Sequence, residues 1–248
     1  MKFIIILLVT VSLFACANFK KQDNSLSIIE NECNEEKILS KKCEILNLKD
    51  LSIDEKENLI GWLYLNGGDG VKQDYNKAYF WFEKSALSQN DEALNSLGNI
   101  YYLGLGRGKN YIKAEEHYSQ AYALGNKDAI FNLAELYRNN GFGKLPDYNK
   151  AEEIYRSKII DNPYKSYEGL SKIYIEKGAF KEAFIYSKKA ADLNNPEAEY
   201  NLGVFYEKGI YVEKDIEKAL YWYERAAKKG HLDAKNNLEV IEFTKSKE

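Results

Sequence analysis

The sequence predicts an all-α protein: a right-handed α-solenoid of about five helix-turn-helix repeats with capping helices at both ends. Three observations predict it. The first is a ladder of similar blocks: Ile60-Gly61…Tyr64, Leu97-Gly98…Tyr101, Leu133-Ala134…Tyr137, Leu170-Ser171…Tyr174 and Leu202-Gly203…Tyr206. The second residue of successive blocks advances by 37, 36, 37 and 32 residues. That period belongs to solenoids, whose units bury their apolar faces only against neighbours. The second observation is glycine after each block, at Gly67/Gly68/Gly70, Gly104/Gly106/Gly108, Gly141/Gly143, Gly178 and Gly209, where helices end. The third is a repeated opening of a second helix, at Lys77-Ala78, Lys113-Ala114, Lys150-Ala151, Glu182-Ala183 and Lys218-Ala219.

The N-terminal residues are read apart from this fold. Residues 1–15 form a signal peptide: Lys2 is basic, and the apolar run from Phe3 to Phe14 is too short for the ~20 residues of a spanning helix. Leu13-Phe14-Ala15-Cys16 resembles a bacterial lipoprotein signal. The resemblance implies cleavage before Cys16 and lipidation there, with several acyl chains giving stable anchorage. Ala17 follows the cysteine, and the resemblance then implies the outer membrane, facing the periplasm, in a Gram-negative cell. The alternative is a plain secretory signal with a cysteine by chance. Residues 16–27 are polar and aperiodic and read as a tether.

Residues 28–50 read as an N-terminal helical cap over the first repeat, carrying Ile28, Ile29, Cys33, Ile38, Leu39, Cys43, Leu46 and Leu48. Of three cysteines, Cys33 and Cys43 remain once Cys16 is lipidated, and an oxidising compartment favours one disulfide between them over two free thiols. On one straight helix they would stand ~15 Å apart, whereas a disulfide needs ~4.4–6.8 Å between Cα atoms. A turn near Ser40 must lie between them.

The repeats occupy residues 51–231. Ser52-Ile-Asp-Glu55 is a capping box for the first helix A. Asp74, Asn110, Asp147 and Asp215 are N-cap residues of helices B, and Asn90, Asn126, Asn162 and Asn195 precede the next helix A. Four residues after the helix-B alanine stands an aromatic: Phe82, Tyr118, Tyr155 and Tyr223. Ala86, Ala121, Ala190 and Ala226 let helices approach. Gly98 and Gly203 read as packing residues where helix B crosses helix A. The repeat at 163–195 has lost residues from its turn, leaving Gly178-Ala179-Phe180. Residues 232–248 form a C-terminal capping helix.

Leu-Gly-Asn-Ile-Tyr-Tyr-Leu-Gly-Leu-Gly (97–106) and Lys-Ala-Leu-Tyr-Trp-Tyr-Glu-Arg-Ala-Ala-Lys-Lys-Gly (218–230) resemble the Sel1-like repeat, a relative of the tetratricopeptide repeat with a longer turn. The resemblance covers about residues 53–231. It implies a protein-binding module. Small exported members of this kind occur as immunity proteins against toxic effectors, including lipases, delivered into the periplasm by type VI secretion. It leaves open an envelope scaffold regulating cell-wall or secretion machinery, and more weakly an enzyme acting on β-lactams or glycans. Cysteine-rich members associated with β-lactams carry a cysteine pair in every repeat. This chain has no cysteine in its repeats and no Ser-x-x-Lys.

The sequence offers little catalytic chemistry. A net charge of −3 and the absence of a long basic block give no case for nucleic acid. His117 and His231 are the two histidines, too far apart along a solenoid to act together, and both read as surface residues. No cysteine remains as a nucleophile. Gly104-Leu-Gly-Arg-Gly108 lacks the preceding strand of a phosphate loop. The expectation is no catalytic site, no metal and no cofactor, with a protein partner and a membrane contact made only through the lipid.

In tetratricopeptide-like repeats the partner-facing residues of helix A lie two before the conserved Leu, one after the Gly and four after it. Here those are Asn58, Trp62 and Leu65; Asn95, Asn99 and Tyr102; Phe131, Glu135 and Arg138; Glu168, Lys172 and Ile175; and Tyr200, Val204 and Glu207. The set mixes amides, charges and aromatics, unlike a core stripe.

Overall fold

The computed structural model describes residues 25–36, 41–139 and 145–245. Among them are thirteen α-helices and no strand: α1 Ser25–Glu36, α2 Lys41–Leu46, α3 Ile53–Asn66, α4 Tyr75–Leu87, α5 Asp91–Leu103, α6 Tyr111–Ala123, α7 Ala129–Arg138, α8 Tyr148–Ser157, α9 Pro163–Glu176, α10 Phe180–Asp192, α11 Pro196–Lys208, α12 Ile216–Lys228 and α13 Leu232–Lys245. The signal segment, Cys16, Ser40, Gly141 and Gly143 lie outside the described residues. Helix α1 begins at Ser25, inside the stretch read as a tether. The chain divides into two compact units, Met1–Ala129 and Ile130–Glu248.

In the first unit α1 and α2 precede two helix pairs, α3/α4 and α5/α6. Cys33 and Cys43 form a disulfide between α1 and α2 with Cα atoms 5.8 Å apart. Ile29 of α1 and Ile45 of α2 join a core with Ile60, Trp81, Phe82, Leu97 and Ile100. The cap thus covers apolar surface that a first repeat would otherwise leave wet. Ser52 and Glu55 form the reciprocal box: the Ser52 backbone N–H donates to Glu55 Oε2 at 2.7 Å, and the Glu55 N–H donates to Ser52 Oγ at 3.4 Å. Asp74, Asn90 and Asn110 cap α4, α5 and α6 through their side-chain oxygens. Gly104 closes α5 in the left-handed conformation at φ 75°.

In the second unit α7/α8, α9/α10 and α11/α12 are followed by α13. Asp147, Asn162, Asn195 and Asp215 are side-chain N-caps. Pro163 and Pro196 open α9 and α11, where no intrahelical donor is lost. The shortened turn has a structural consequence. Helix α10 starts from Ala179 with no side-chain cap. Leu238 and Ile241 of α13 pack against Ala219, Tyr223 and Ala226 of α12.

The glycines set the crossing distance. A Cβ on Gly98 would lie 2.5 Å from the Tyr118 ring, one on Gly203 2.4 Å from Tyr223, and one on Gly61 2.7 Å from Phe82. The large residue of helix B therefore sits directly on bare helix-A backbone.

Candidate functional site

Tyr118, Tyr155 and Tyr223 are buried rings, and a buried phenol needs a hydrogen-bond partner. Each finds it on the helix-A face read as partner-binding. The Tyr118 hydroxyl donates to Asn99 Oδ1 at 2.8 Å, Tyr155 to Glu135 Oε1 at 2.5 Å, and Tyr223 to Glu207 Oε2 at 2.6 Å. Three of the candidate residues are thus held from behind. Phe82 has no hydroxyl, and there Trp62 stands edge-on to its ring at 5.9 Å.

In the first unit Trp62 is 38% exposed. Asn95, Asn99 and Tyr102 are half-buried, and Tyr102 leans on Tyr111 at 5.9 Å. Leu65 packs against the core. Asn58 corrects the sequence reading. It is 3% exposed and its amide donates to Glu92 Oε2 at 2.9 Å, because Glu92 at the start of the next helix A reaches back over it. Asn58 is a packing residue.

In the second unit Phe131, Glu135, Glu168 and Lys172 line one cleft of about 220 Å³, joined by Asn132, Tyr155, Lys165 and Gly169. Phe131 also corrects the reading: it is 8% exposed, stacked on Tyr155 at 6.2 Å, with Lys165 over its ring at 5.3 Å. Glu135 accepts from Arg138 Nη2 at 2.7 Å, and Arg138 also pairs with Glu176. Burial would raise the Glu135 carboxyl, but the Arg138 and Tyr155 hydrogen bonds hold it below the usual carboxylate range. Glu168 accepts from Lys172 at 2.5 Å and from Asn195 Nδ2 at 2.8 Å. Ile175 is half-buried. Tyr200 stacks on His231 at 4.5 Å, and Val204 packs against the Tyr223 core. The Glu135 and Glu168 carboxylates are hydrogen-bonded to cations and amides, so the cleft is walled by alternating charge.

Neither histidine is a bare surface residue, contrary to the sequence reading. His231 caps α13, accepting the Ala234 N–H on Nδ1 at 3.3 Å, with Nε2 3.2 Å from Glu197. His117 stacks on Tyr101 at 5.5 Å, and its Nδ1 is buried without a hydrogen bond. Burial pushes the His117 pKa below its ordinary value. The unfolded chain therefore takes the proton more readily than the folded one. Stability should fall as pH drops below about 6.5 and stop falling once the folded imidazole is also protonated. Thermal melts of wild type and His117→Gln across that range check this; equal pH slopes contradict it.

Sequence reasoning missed Tyr118, Tyr155 and Tyr223 as supports of this face, and Gly169 altogether. The signal for the tyrosines was present, since a core position that takes Tyr in three repeats and Phe in one is carrying a hydroxyl somewhere.

The Sel1 repeat profile matches residues 57–90, 91–126, 127–157, 167–195 and 196–231. Chitin synthase regulatory factor 3 of Schizosaccharomyces pombe is 30% identical over 80% of this chain and 23% of its own length. The chitin synthase regulator SKT5 of Saccharomyces cerevisiae is 29% identical over 68% of this chain and 26% of its own. The chain thus spans about a quarter of these relatives. A Sel1 repeat protein from Oxalobacter formigenes superposes with a TM-score of 0.65 at 26% identity, covering 88% of each chain.

Proposed function

Since the chain belongs to the Sel1 repeat family, whose repeats are a protein-interaction fold, we propose that it is a non-enzymatic, lipid-anchored binder of another protein in the cell envelope, an immunity protein that neutralises a periplasm-acting toxin. The observation that carries the binding role is the helix-A face braced from behind by Tyr118, Tyr155 and Tyr223. A surface ordered before association loses little entropy on binding, as a plug for an enzyme cleft requires. The Glu135 and Glu168 carboxylates on that face are tied to cations and amides, and Glu207 to the Tyr223 hydroxyl, which supports a binder over an enzyme. The Phe3–Phe14 run and Cys16 support export and anchorage. The Cys33–Cys43 disulfide fits an oxidising compartment.

The toxin partner rests on the family resemblance alone. A second reading, an adaptor regulating cell-wall machinery, is favoured by the chitin synthase regulators among the relatives. Expressing the chain with an envelope-directed toxin encoded beside its gene separates the two. Survival supports the immunity reading, and undiminished killing rejects it.

Anchorage has its own test. Cys16→Ser should move the protein from the membrane fraction to the soluble fraction or block its maturation. A variant that still fractionates wholly with membranes would show that the anchor lies elsewhere.

A further inference from the structure

The first unit has an open pocket that the second unit fills, at the same repeat positions, from its own chain. The pocket, about 480 Å³, lies between α4, α5 and α6. Phe80 and Leu87 come from α4, Leu94 and Leu97 from α5, and His117 and Gln120 from α6. Leu87 is 71% exposed at its mouth.

The helix-B alanine and the helix-A glycine recur at fixed places in the repeats and set a common register. Leu94, His117 and Gln120 of the first unit then correspond to Glu199, Trp222 and Arg225 of the second. Ala86 and Leu97 correspond to Ala191 and Leu202. In the second unit Trp222 packs against the cluster containing Ala191 and Leu202. Arg225 lies over the Trp222 ring at 5.0 Å and pairs with the fully buried Glu199 at 2.7 Å. One repeat earlier the same space holds Tyr167 and Tyr186, with rings 6.1 Å apart and Lys189 over both at 5.4 and 5.2 Å. Both repeats close this space with an aromatic ring beneath a cation.

The first unit supplies an imidazole, a neutral amide and an aliphatic side chain instead. The space stays open, and His117 Nδ1 is left buried without a hydrogen bond, a costly state for a polar atom. Glu83, which accepts from the Tyr79 hydroxyl, lines the pocket, and Glu116 of α6 accepts from Gln120 at 3.4 Å. The neighbouring cations are already engaged: Lys84 lies over Phe80 at 5.6 Å, and Lys113 donates to the Tyr101 hydroxyl at 3.3 Å.

We propose that this pocket receives a tryptophan side chain of the partner protein, with an adjacent Arg or Lys of that partner meeting Glu83 and Glu116. The partner would complete in the first unit what Trp222 and Arg225 complete in the second. The inference rests on the protein-binding reading and adds a second contact, separate from the helix-A face. The volume lies within the usual range for ligand pockets, and tryptophan and arginine are both enriched among interface hot spots.

The test uses the full mature chain and small probes at millimolar concentration, followed by NMR of the Leu94 and Leu97 methyls. N-acetyl-tryptophan amide should give saturable shifts. A Trp-Arg dipeptide amide should bind at least threefold tighter, and N-acetyl-alanine amide should give no shifts. Filling the pocket from within, with His117→Trp plus Gln120→Arg, should weaken the tryptophan probe at least tenfold and raise the melting temperature. His117→Tyr, which copies Tyr186, serves if that double variant fails to fold. Absence of saturable shifts in wild type overturns the proposal, as does unchanged probe binding by the filled variants. Shifts that appear on concentrating the chain alone would assign the pocket to a second copy and also overturn it. Failure here with partner capture through the helix-A face intact would sink this inference without touching the binding role.

Discussion

Gly98→Leu is expected to destabilise the first unit by about 1–3 kcal/mol or more, lowering Tm by roughly 5 °C or more. Even a bare Cβ at this position would sit 2.5 Å from Tyr118 Cδ1 and Cε1, well inside the ~3.5–4.0 Å of a carbon–carbon contact. The ring has nowhere to go. Tyr118 is 1% exposed and its hydroxyl is tied to Asn99. Combining Gly98→Leu with Tyr118→Leu should recover part of the loss, since the two side chains compete for one space. Gly169→Ala should behave similarly, because its Cβ would lie 2.2 Å from Tyr155 Cζ. Thermal melts of the single and double variants decide this. An unchanged Tm for Gly98→Leu would mean that the helices do not cross as described.

Trp62→Ala combined with Tyr102→Ala is expected to weaken partner binding at least tenfold while leaving the helical circular dichroism unchanged. Trp62 is exposed and Tyr102 half-buried, so their removal alters surface more than core. Large aromatics of this kind dominate interface energetics, at ~2 kcal/mol or more each. Asn58→Ala and Phe131→Ala should instead show their effects in stability, because both side chains are buried. Substitution at the exposed helix-B residue Lys189, away from the pocket where Glu116 is proposed to meet the partner, is the comparison. Loss of binding there, with the aromatic pair dispensable, would place the interface on the helix-B side.

Most of the helices could be read from local chemistry. Ser52, Asp74, Asn110, Asp147 and Asp215 cap helices because a short side-chain oxygen beside the first turn needs only its own neighbours to act. The Cys33–Cys43 pair was legible from cysteine arithmetic, because two thiols remained once Cys16 was assigned to the lipid. The binding face was harder, because exposure depends on what other helices send across. Asn58 has the right periodicity for a partner-facing residue, but Glu92 of α5 covers it. Gly169 was invisible because Ala134, in the block position of Gly98, carries a methyl group. Tyr155 leans instead on the following helix A, where Gly169 leaves room. His117 looked exposed because nothing local reveals that Tyr101 of the preceding helix lies flat against it. The open pocket is lined by side chains from α4, α5 and α6 together, so no single stretch of sequence carries it.

The most direct test of the central claim is quantitative affinity capture from envelope extracts by the full chain. Wild type, Trp62→Ala with Tyr102→Ala, and His117→Trp with Gln120→Arg would be compared side by side, and captured proteins identified by mass spectrometry. A protein-binding solenoid of the envelope predicts one partner that wild type retains stoichiometrically and the Trp62/Tyr102 variant loses at least tenfold. Capture of no specific protein, or equal retention by all three forms, would contradict it.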